Sequence, residues 1–522
     1  MSALTALLQE CGVQAFPTDR PDVLRAVCPT CKTGAAEITE APGDLIYVDC
    51  PRCGGWSHFS SEEFRSRFAN GEAAPVTFPA FPRSDAGNAE ALVFLHGDVF
   101  RYVHGPDLWR VWDGKRWRDD VTGAAERAAL EAMRERLRGA ADLAEHAEAA
   151  LEAKWALGSQ SARRIRDALT VASTFPAQAI TADKFDSDPY LLNCANGIID
   201  LRTGNLRPHD PGAMCAKLAP VDFDPDATCP RFEQFLREVF DGNGELEAFL
   251  QRWVGYSLTG LTQEQCFTIL YGLGCNGKTT LLGVVKRLAG DYVRNADFAT
   301  FGFAREKQAG VRDDIAALAG ARIVTASEPS VGLRLSEGLV KQLTGSDPVT
   351  ARALYGRHFD FVPQFKLWLS CNHRPTVRDT SLAFWRRVHL IPFGVSFKGR
   401  EDPHLPEKLA AEAPGILNWA ILGALEWQDG GLAPPEAVKA ATADYQEAED
   451  VIGAFVAERT EADPGAIVLF KTLRDSYLGW CDGNSERPLS SKAFGEALAE
   501  KGFGKERGGG GVRRYAGLRL VE

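Results

Sequence analysis

The stretch YGLGCNGKTTLL, residues 271–282, lies near the middle of the 522-residue chain and determines how its surroundings fold. Gly272, Gly277, Lys278 and Thr279 match the spacing G-x4-G-K-[ST]. The apolar run CFTILY before the loop predicts a buried strand, and TLLGVVKRLAG after it has helical spacing. A strand, a glycine-rich loop and a helix in this order are the context in which the pattern binds nucleotide phosphates. A tight turn without a ligand is the weaker alternative.

The chemistry of this loop follows from its residue types. Glycines let backbone N–H groups close around phosphates at a helix N-terminus. Lys278 is predicted to reach the β and γ phosphates, and the Thr279 hydroxyl is predicted to hold Mg²⁺. We therefore expect ATP and Mg²⁺ as ligands. The predicted ATP contacts are Gly272, Gly274, Asn276, Gly277, Lys278, Thr279 and Thr280.

Two later apolar runs each end in a polar residue. The run ARIVTASEP (321–329) predicts a strand that ends at Glu328, an acid suited to hold Mg²⁺ and polarise water. Ser327 stands where many ATPases carry a first acid, and a surface acid at a strand end is common. The run FKLWLSCNHRP (365–375) predicts another strand, which ends at Asn372. An asparagine at that position can orient the attacking water.

The segment FWRRVHLIPF (384–393) places two arginines directly before an apolar strand pattern. Either Arg386 or Arg387 could act as an arginine finger on the ATP of a neighbouring subunit. The alternative is that two arginines beside a tryptophan simply pack at the surface.

In this order, the four elements resemble superfamily 3 helicases of the phage and plasmid primase-helicase type, related to the poxvirus primase-helicase. The segments LLNCANGIIDLRTGNLRPHDP, FLQRWVGYSLTG, KQLTGSDPVTARALYGRHFDFVP and GILNWAILGALEWQDGGLAPPEAV resemble stretches before, within and after the ATPase of that family. The resemblance covers about residues 190–450. It implies a AAA+-like ATPase that assembles into a homo-hexameric ring and translocates on single-stranded DNA, usually 3′ to 5′.

The resemblance also implies roles for single residues. Lys278 and Thr279 correspond to Walker A, Glu328 to Walker B and Asn372 to sensor 1, with Mg²⁺ held by Thr279 and Glu328. Arg387 is the better of the two finger candidates, because the arginine of the family lies just before the apolar strand. The single acid leaves open whether Glu328 is a metal ligand, a catalytic base or both.

A DNA-facing hairpin is predicted within YGRHFDF (355–361). Two short β runs would flank a turn that carries Arg357 and His358 at its tip, and in relatives such a tip faces the channel of the ring. A cation there binds phosphate without reading sequence. Lys341 and Arg352 are the next candidates for DNA contact. A turn that is merely polar is the alternative.

The motifs CPTC and CPRC place Cys28, Cys31, Cys50 and Cys53 in the spacing CxxC-x18-CxxC. Two such pairs converging on one tetrahedral ion predict a zinc ribbon. A redox pair is the alternative and would not need two copies. Relatives often carry a primase domain in this region. The chain before residue 190 lacks room and clear paired acids for one, so we predict no primase activity.

The C-terminal residues 448–522 follow the order helix, turn, helix, glycine-rich loop, strand, which predicts a winged helix. The segment PLSSKAFGEALAEKG has the polar start and apolar periodicity of a recognition helix. Between residues 501 and 519 there are six lysines and arginines and one acid. Arg513 and Arg514 in this basic end are predicted to bind DNA. A charged, solvated tail is the alternative.

Composition limits the class of protein. Lys plus Arg total 59 and Asp plus Glu total 70, so the formal net charge is −11 and any DNA-binding surface must be local. No long apolar run or signal-peptide pattern is present, so we expect no membrane association and a location in the cytoplasm. The resemblance to phage and plasmid helicases implies that this is the cytoplasm of a bacterial host. The expected fold is a multidomain α/β protein with a mixed α+β middle domain and an AAA+-like P-loop core. The predicted parts are a zinc ribbon (1–70), a linker (71–90), a mixed α+β domain (91–230), the ATPase (231–397), a helical extension (398–447) and the winged helix (448–522).

Together these patterns predict a replicative DNA helicase of a phage, prophage or mobile element. Its expected partners are single-stranded or forked DNA, further copies of itself, and a primase or other replication proteins. Two alternatives come from other classes: an origin-binding initiator that uses ATP mainly to assemble, and a AAA+ remodeller of proteins. A full set of Lys278, Glu328, Asn372 and Arg387 argues against an assembly-only role.

Overall fold

The computed structural model describes most of the chain beyond residue 80 and five short strands before it. The described residues are 8, 15–17, 23–27, 35–41, 45–50, 55–60, 81–303, 312–327, 333–352, 358–484, 486, 488–507 and 513–521. They form a mixed α/β protein that divides into two compact units. The first is Met1–Ser187 with His209–Lys217, and the second is Asp188–Pro208 with Leu218–Glu522. None of the described helices is both long and apolar enough to cross a lipid bilayer.

An antiparallel sheet of five strands lies at the start of the first unit, and each strand pairs with the next along the chain. The strands are β1 (Ala15–Pro17), β2 (Val23–Val27), β3 (Ala35–Ala41), β4 (Leu45–Cys50) and β5 (Gly55–Ser60). In this arrangement β2 and β4 run in the same direction on either side of β3. Val27 at the end of β2 and Cys50 at the end of β4 therefore lie at the same end of the sheet.

The remainder of the first unit packs helices against a second sheet, in the order β8-β7-β6-β9. The elements are α1 (Asp85–His96), β6 (Phe100–His104), β7 (Leu108–Trp112), β8 (Trp117–Asp119), α2 (Ala124–Gly139), α3 (His146–Ser159), α4 (Ala162–Ala172) and β9 (Ala179–Thr181). Alanines that are buried on α1, α2 and α4 allow close helix packing. This unit is therefore a small α+β body.

The predicted linker over residues 71–90 is wrong in its last part, because α1 begins at Asp85. The Ser84 side chain caps this helix by accepting a hydrogen bond from the backbone N–H of Gly87, at 3.1 Å. Asn88 and Ala89 are fully buried in the helix. The alanine- and glycine-rich composition suggested a linker, but burial against neighbouring helices made this segment helical.

The second unit is built around a five-stranded parallel sheet in the order β14-β15-β18-β13-β19. A three-stranded antiparallel sheet, β10 (Leu191–Cys194), β11 (Gly197–Asp200) and β12 (Asn205–Arg207), precedes it. The later elements are α5 (Pro230–Val239), α6 (Gly244–Leu258), β13 (Phe267–Tyr271), α7 (Lys278–Ala289), β14 (Val293–Asn295), α8 (Asp313–Ala316), β15 (Ile323–Ser327), α9 (Glu337–Leu343), β16 (Val349–Arg352), β17 (His358–Phe361), β18 (Lys366–Cys371), α10 (Leu382–Trp385), β19 (Val388–Pro392), α11 (Leu405–Ala411), α12 (Ala413–Gly430) and α13 (Glu436–Glu449). The strands predicted from CFTILY, ARIVTASEP and FKLWLSCNHRP are confirmed as β13, β15 and β18.

The central strands are apolar along their whole length because helices cover both faces of a parallel sheet. All six residues of β18 are buried, as are four of the five in β13 and in β15. On one side, α6 and α12 approach so closely that a Cβ on Gly255 would lie 2.1 Å from the backbone N of Ala424. The packing of this core therefore sets the positions of the strand ends at the edge of the sheet.

The C-terminal segment forms its own small core from α14 (Val451–Arg459), β20 (Thr460–Leu469), α15 (Phe470–Gly483), α16 (Ser491–Glu500), β21 (Lys505–Arg507) and β22 (Arg513–Leu520). Its sheet has the order β20-β22-β21. The predicted helix–turn–helix followed by a strand is present, and β20 is an additional strand. Seven residues of β20 pair with β22, in two runs separated by a shift of register between Asp463 and Ile467, which explains why this polar, glycine-containing run is extended.

Candidate nucleotide-binding site

A glycine-rich loop joins β13 to α7 and is tightly packed. Gly274 and Gly277 have φ angles of 102° and 88°, a region that glycine adopts without steric cost. A Cβ on Gly272 would lie 2.2 Å from Asn276 Nδ2 and 2.3 Å from Phe393 O. The loop therefore leaves no space for a side chain at Gly272 and brings its backbone to the first turn of α7.

The Lys278 ammonium is the charge at the centre of this loop. Its side chain is buried, with 4% of the residue exposed. Its Nζ donates to Gly272 O at 2.5 Å, to Asn276 Oδ1 at 3.0 Å and to Asn372 Oδ1 at 3.1 Å. Burial lowers the pKa of Lys278, and the three oxygens partly replace the solvation that the ammonium has lost.

The order of the sheet explains how Asn372 reaches this lysine. β18 lies between β15 and β13, and all three strands run in parallel, so their carboxyl ends meet at one edge. Asn372 directly follows β18 and is exposed, and Ser327 is the exposed last residue of β15. Glu328 comes next in the chain but lies outside the described residues. The structure thus brings Lys278 and Asn372 together and leaves the role of Glu328 a prediction.

The groups at the start of α7 suit a phosphate–magnesium ligand. Thr279 is exposed in the first helical turn, Thr280 is half-buried, and the close-packed glycine loop precedes them. A helix N-terminus with a buried ammonium attracts anionic oxygens, and a threonine hydroxyl is a suitable oxygen ligand for Mg²⁺. Thr279 would hold the ion, and Glu328 remains the predicted second ligand.

The two finger candidates lie in different environments. Arg387 is half-buried, and its guanidinium donates to backbone oxygens of Ala383 at 3.2 Å and of Gln265 at 3.0 Å. It also donates to Thr344 O at 3.3 Å. Burial and the adjacent Arg386 lower the pKa of Arg387. Arg386 is exposed and contacts the Gln265 side chain at 2.8 Å, so Arg386 is the more accessible of the two.

The predicted DNA hairpin is present in part, but its strands differ from the prediction. β16 pairs with β17, and Arg352 lies opposite His358. His358 is therefore the first residue of a strand and not part of the tip. Cross-strand partners share one face, and Thr350 and Asp360 on that face are exposed and hydrogen-bonded at 2.5 Å. Arg357 lies outside the described residues.

Lys341 lies on α9, apart from this hairpin. Its Nζ forms an ion pair with Asp379 Oδ2 at 2.8 Å. The same contact lowers the pKa of Asp379 against the opposing effect of its burial. Asp379 therefore neutralises much of the charge of Lys341, and Arg352 on the hairpin stays a predicted DNA contact.

The four predicted zinc ligands lie outside the part of the chain whose side chains are described. Only the backbone of Cys50 is described, at the end of β4; Cys28, Cys31 and Cys53 are not. Among the described residues, no group of three or more His, Cys, Asp or Glu side chains is arranged to hold a metal ion. The zinc site therefore stays a prediction.

The two predicted DNA contacts of the C-terminal segment, Arg513 and Arg514, lie on its sheet. Arg513 is exposed at the start of β22, with its guanidinium 6.0 Å from the Phe470 ring, and Arg514 is half-buried. The predicted recognition helix is α16, and its exposed Lys492 lies 3.8 Å from Glu496. In the sheet, Arg513 pairs with Arg507 and Arg514 pairs with Glu506, so Arg513 lies in the more basic part of the strand.

A cation that the sequence did not single out lies beside the loop. The Arg374 guanidinium is 5.0 Å from the ring of Tyr271, the last residue of β13, and 5.6 Å from the Tyr445 ring of α13. The Tyr445 hydroxyl donates to Pro375 O. These contacts join the segment after Asn372 to the helical extension. The sequence carried no signal for them, because the partners lie far apart along the chain.

Comparisons with known proteins found one family model and several viral relatives. Residues 89–241 match the family model described as D5 N terminal like. A candidate helicase of Acanthamoeba polyphaga mimivirus is 27% identical over 320 residues, which are 56% of this chain and 33% of that protein. A candidate helicase of Frog virus 3 is 24% identical over 60% of this chain and 41% of its own length. A candidate primase of African swine fever virus is 23% identical over 57% of this chain and 34% of its own length.

Among solved structures, the apo C-terminal region of NrS-1 aligns with 84% of this chain and 100% of its own, at 11% identity and a TM-score of 0.45. The chain spans between a third and about two fifths of the length of the three viral relatives. Its class is that of mixed α/β proteins related to viral helicases and primases. More narrowly, the predicted resemblance to primase-helicases of the poxvirus-related type is confirmed by the family match and the viral relatives.

Proposed function

We propose that this chain is an ATP-dependent replicative DNA helicase of a phage, prophage or mobile element. The observation that carries the proposal is the contact of Lys278 with Asn372 at the carboxyl edge of a parallel sheet. A buried ammonium at a glycine-rich loop, with an exposed amide at the end of the neighbouring strand, suits a polyphosphate ligand. Relatives named as helicases support the proposal that the energy of ATP hydrolysis is used to unwind DNA.

In the proposed reaction, the residues of the loop bind and orient ATP. Backbone N–H groups of the loop and Lys278 hold the β and γ phosphates, and Asn372 orients the attacking water. Thr279 and Glu328 would hold Mg²⁺, which would supply positive charge to the phosphate oxygens during phosphoryl transfer. Such groups stabilise the transition state because they are already in place before the reaction begins.

A homo-hexameric ring that moves 3′ to 5′ is the proposed assembly. An arginine finger must leave its own subunit to reach the ATP of a neighbour. Arg386 is exposed and satisfies this condition, whereas Arg387 is bound to backbone oxygens of its own chain. We therefore assign the finger to Arg386 and give Arg387 the role of holding the segment before β19 in place.

The β16–β17 hairpin is proposed to hold the DNA backbone in the channel of the ring. Arg352 and His358 lie opposite each other on this hairpin, and Arg357 precedes His358 directly. The hairpin lies between β15 and β18 in the chain, and both strands lead to the ATP site. A change of bound nucleotide can therefore move the hairpin together with these strands.

The two ends of the chain are proposed to be accessory modules. Val27 and Cys50, at the same end of the first sheet, are the strand ends from which both CxxC segments continue, as a zinc ribbon requires. The helices and three-stranded sheet of residues 451–520 suit a winged helix. Arg513 and Arg514 on its sheet are the proposed DNA contacts.

Strand displacement on forked DNA tests the function directly. The chain is expected to unwind a fork with ATP and Mg²⁺, and Lys278→Ala is expected to show no unwinding. Forks with a single 3′ or 5′ tail report the direction of movement. ATP-dependent binding of origin DNA without unwinding would favour the initiator, and ATPase stimulated only by protein would favour the remodeller.

Primase activity is the second candidate, because one viral relative is named as a primase. The alignment covers 34% of that relative, so the name does not assign the activity to this part of it. We propose instead that a separate primase is a partner in the cytoplasm of a bacterial host. A priming assay with ribonucleotides on single-stranded DNA is expected to give no product, and RNA primers would contradict this proposal.

A further inference from the structure

Asn276 is buried, unlike the other side chains between the two fixed glycines of the loop. Leu273 is 83% exposed and Cys275 is exposed, whereas Asn276 is only 4% exposed. The Asn276 amide uses both of its ends. Its Nδ2 donates to Phe393 O at 3.2 Å, and its Oδ1 accepts from Lys278 Nζ at 3.0 Å.

These two contacts link the lysine to the end of a different strand. Phe393 directly follows β19, the strand that pairs with β13 on the side opposite β18. Gly272 makes the link compact, since a Cβ there would meet Asn276 Nδ2 at 2.2 Å. Asn276 thus holds Lys278 against one neighbouring strand, while Asn372 contacts it from the other.

The three acceptors of Lys278 are not equally replaceable. An ammonium has three donors, and Gly272 O, Asn276 and Asn372 take one each. Gly272 O is backbone, and Asn276 is buried and bound at both ends. Asn372 is exposed, and among the described residues its amide bonds to Lys278 alone, so a phosphate that binds Lys278 exchanges most readily with Asn372.

We propose that Asn276 is a positioning residue, which ties Lys278 to the end of β19 so that nucleotide phosphates meet an ammonium already in place. The inference rests on the proposed ATP site. It distinguishes Asn276, which keeps its contact with Lys278, from Asn372, which gives its contact up. Only a side chain with a donor and an acceptor of this length makes both bonds.

The test is the affinity of the full chain for ADP and for AMP, measured by calorimetry. Lys278 reaches the β phosphate, which AMP lacks. Asn276→Ala is expected to weaken ADP binding about tenfold, as for the loss of a hydrogen bond to a charged group, and to change AMP binding less than about twofold. Asn276→Ser, which keeps a polar atom too short to make both bonds, is expected to give the same result.

Leu273→Ala in the same loop is the matched control and is expected to bind both nucleotides as the parent does. Equal losses of ADP and AMP affinity in the Asn276 variants would indicate a collapsed loop and overturn the inference. The inference would also be overturned if both Asn276 variants bound ADP as tightly as the parent while Lys278→Ala had lost ADP binding. Parental ADP affinity in Lys278→Ala itself would instead overturn the proposed ATP site, and the inference with it.

Discussion

The ammonium of Lys278 and the amide oxygen of Asn372 are 3.1 Å apart, although 94 residues separate them in the chain. Their contact joins the glycine-rich loop after β13 to the residue after β18, two strands that pair directly. The residue proposed to hold the phosphates therefore touches the residue proposed to orient water. Binding of a phosphate by Lys278 would release Asn372 for its second role.

This contact makes the two residues separable by mutation. Lys278→Ala removes the charge for the phosphates and is expected to abolish ATP hydrolysis. Asn372→Ala removes an acceptor that competes with phosphate for Lys278, so nucleotide affinity is expected to equal or exceed that of the parent. It also removes the amide proposed to orient water, so hydrolysis is expected to slow roughly 100-fold. Calorimetry and steady-state turnover on the same preparations measure both effects. Turnover at the parental rate in a folded Lys278→Ala chain would refute the loop assignment.

Arg386 is expected to act on the ATP of a neighbouring subunit. Arg386→Ala should lose about 1000-fold in hydrolysis, as for other arginine fingers, without loss of thermal stability. Mixing Arg386→Ala with Lys278→Ala chains should restore part of the activity, since some interfaces then pair an intact finger with an intact loop.

Arg387→Ala is the comparison for this experiment. It removes the hydrogen bonds to Gln265 O and Thr344 O, so it is expected to lower thermal stability. Recovery of activity when Arg387→Ala, but not Arg386→Ala, is mixed with Lys278→Ala would show that the two roles are reversed.

The hairpin is expected to couple ATP hydrolysis to DNA movement. Arg352→Ala, Arg357→Ala and His358→Ala should each largely abolish unwinding of forked DNA while basal ATPase persists, and DNA stimulation of that ATPase should fall. Loss of one phosphate contact should also reduce the salt dependence of DNA binding by about one unit of slope. Thr350→Ala, on the same exposed face, is the control. Parental unwinding by all three variants would exclude this hairpin as the DNA contact.

The N-terminal cysteines are expected to bind about one zinc ion per chain, as tetrahedral ribbon sites do. Metal analysis of the purified protein measures the content. Replacing Cys28 and Cys50 together by Ser should release the metal, whereas Cys275→Ser should not. Zinc that persists in the double variant would place the metal elsewhere.

His389 is expected to make stability depend on pH. Its ring lies 5.7 Å from the Phe249 ring, and burial lowers its pKa to about 4. As pH falls, the unfolded chain, with an ordinary histidine pKa near 6.5, binds a proton before the folded chain does. The contribution of the neutral His389 to the free energy of unfolding is therefore lost from about pH 6.5 down to pH 4. His389→Gln should therefore reduce the loss of unfolding free energy between pH 7 and pH 5 by about 2 kcal/mol. Identical pH dependence in urea titrations of parent and variant would contradict this.

Local patterns were sufficient for the elements around the ATP site. The apolar runs that became β13, β15 and β18, and the helix that begins at Lys278, could be predicted because burial on both faces and helical periodicity leave a direct mark on the sequence. The same reasoning failed at Asp85, where composition suggested a linker. There, burial of Asn88 and Ala89 against other helices outweighed local preference.

By itself, then, the sequence determined the strand–loop–helix unit, the polar residues at the strand ends and the resemblance to primase-helicases. Only the tertiary structure decided that Asn372 meets Lys278, that Arg386 rather than Arg387 is accessible, and that Arg352 faces His358. The physical reason is that strand order and exposure depend on contacts between residues far apart in the chain. Hydrophobic periodicity records which residues are buried, but it does not record which partners bury them.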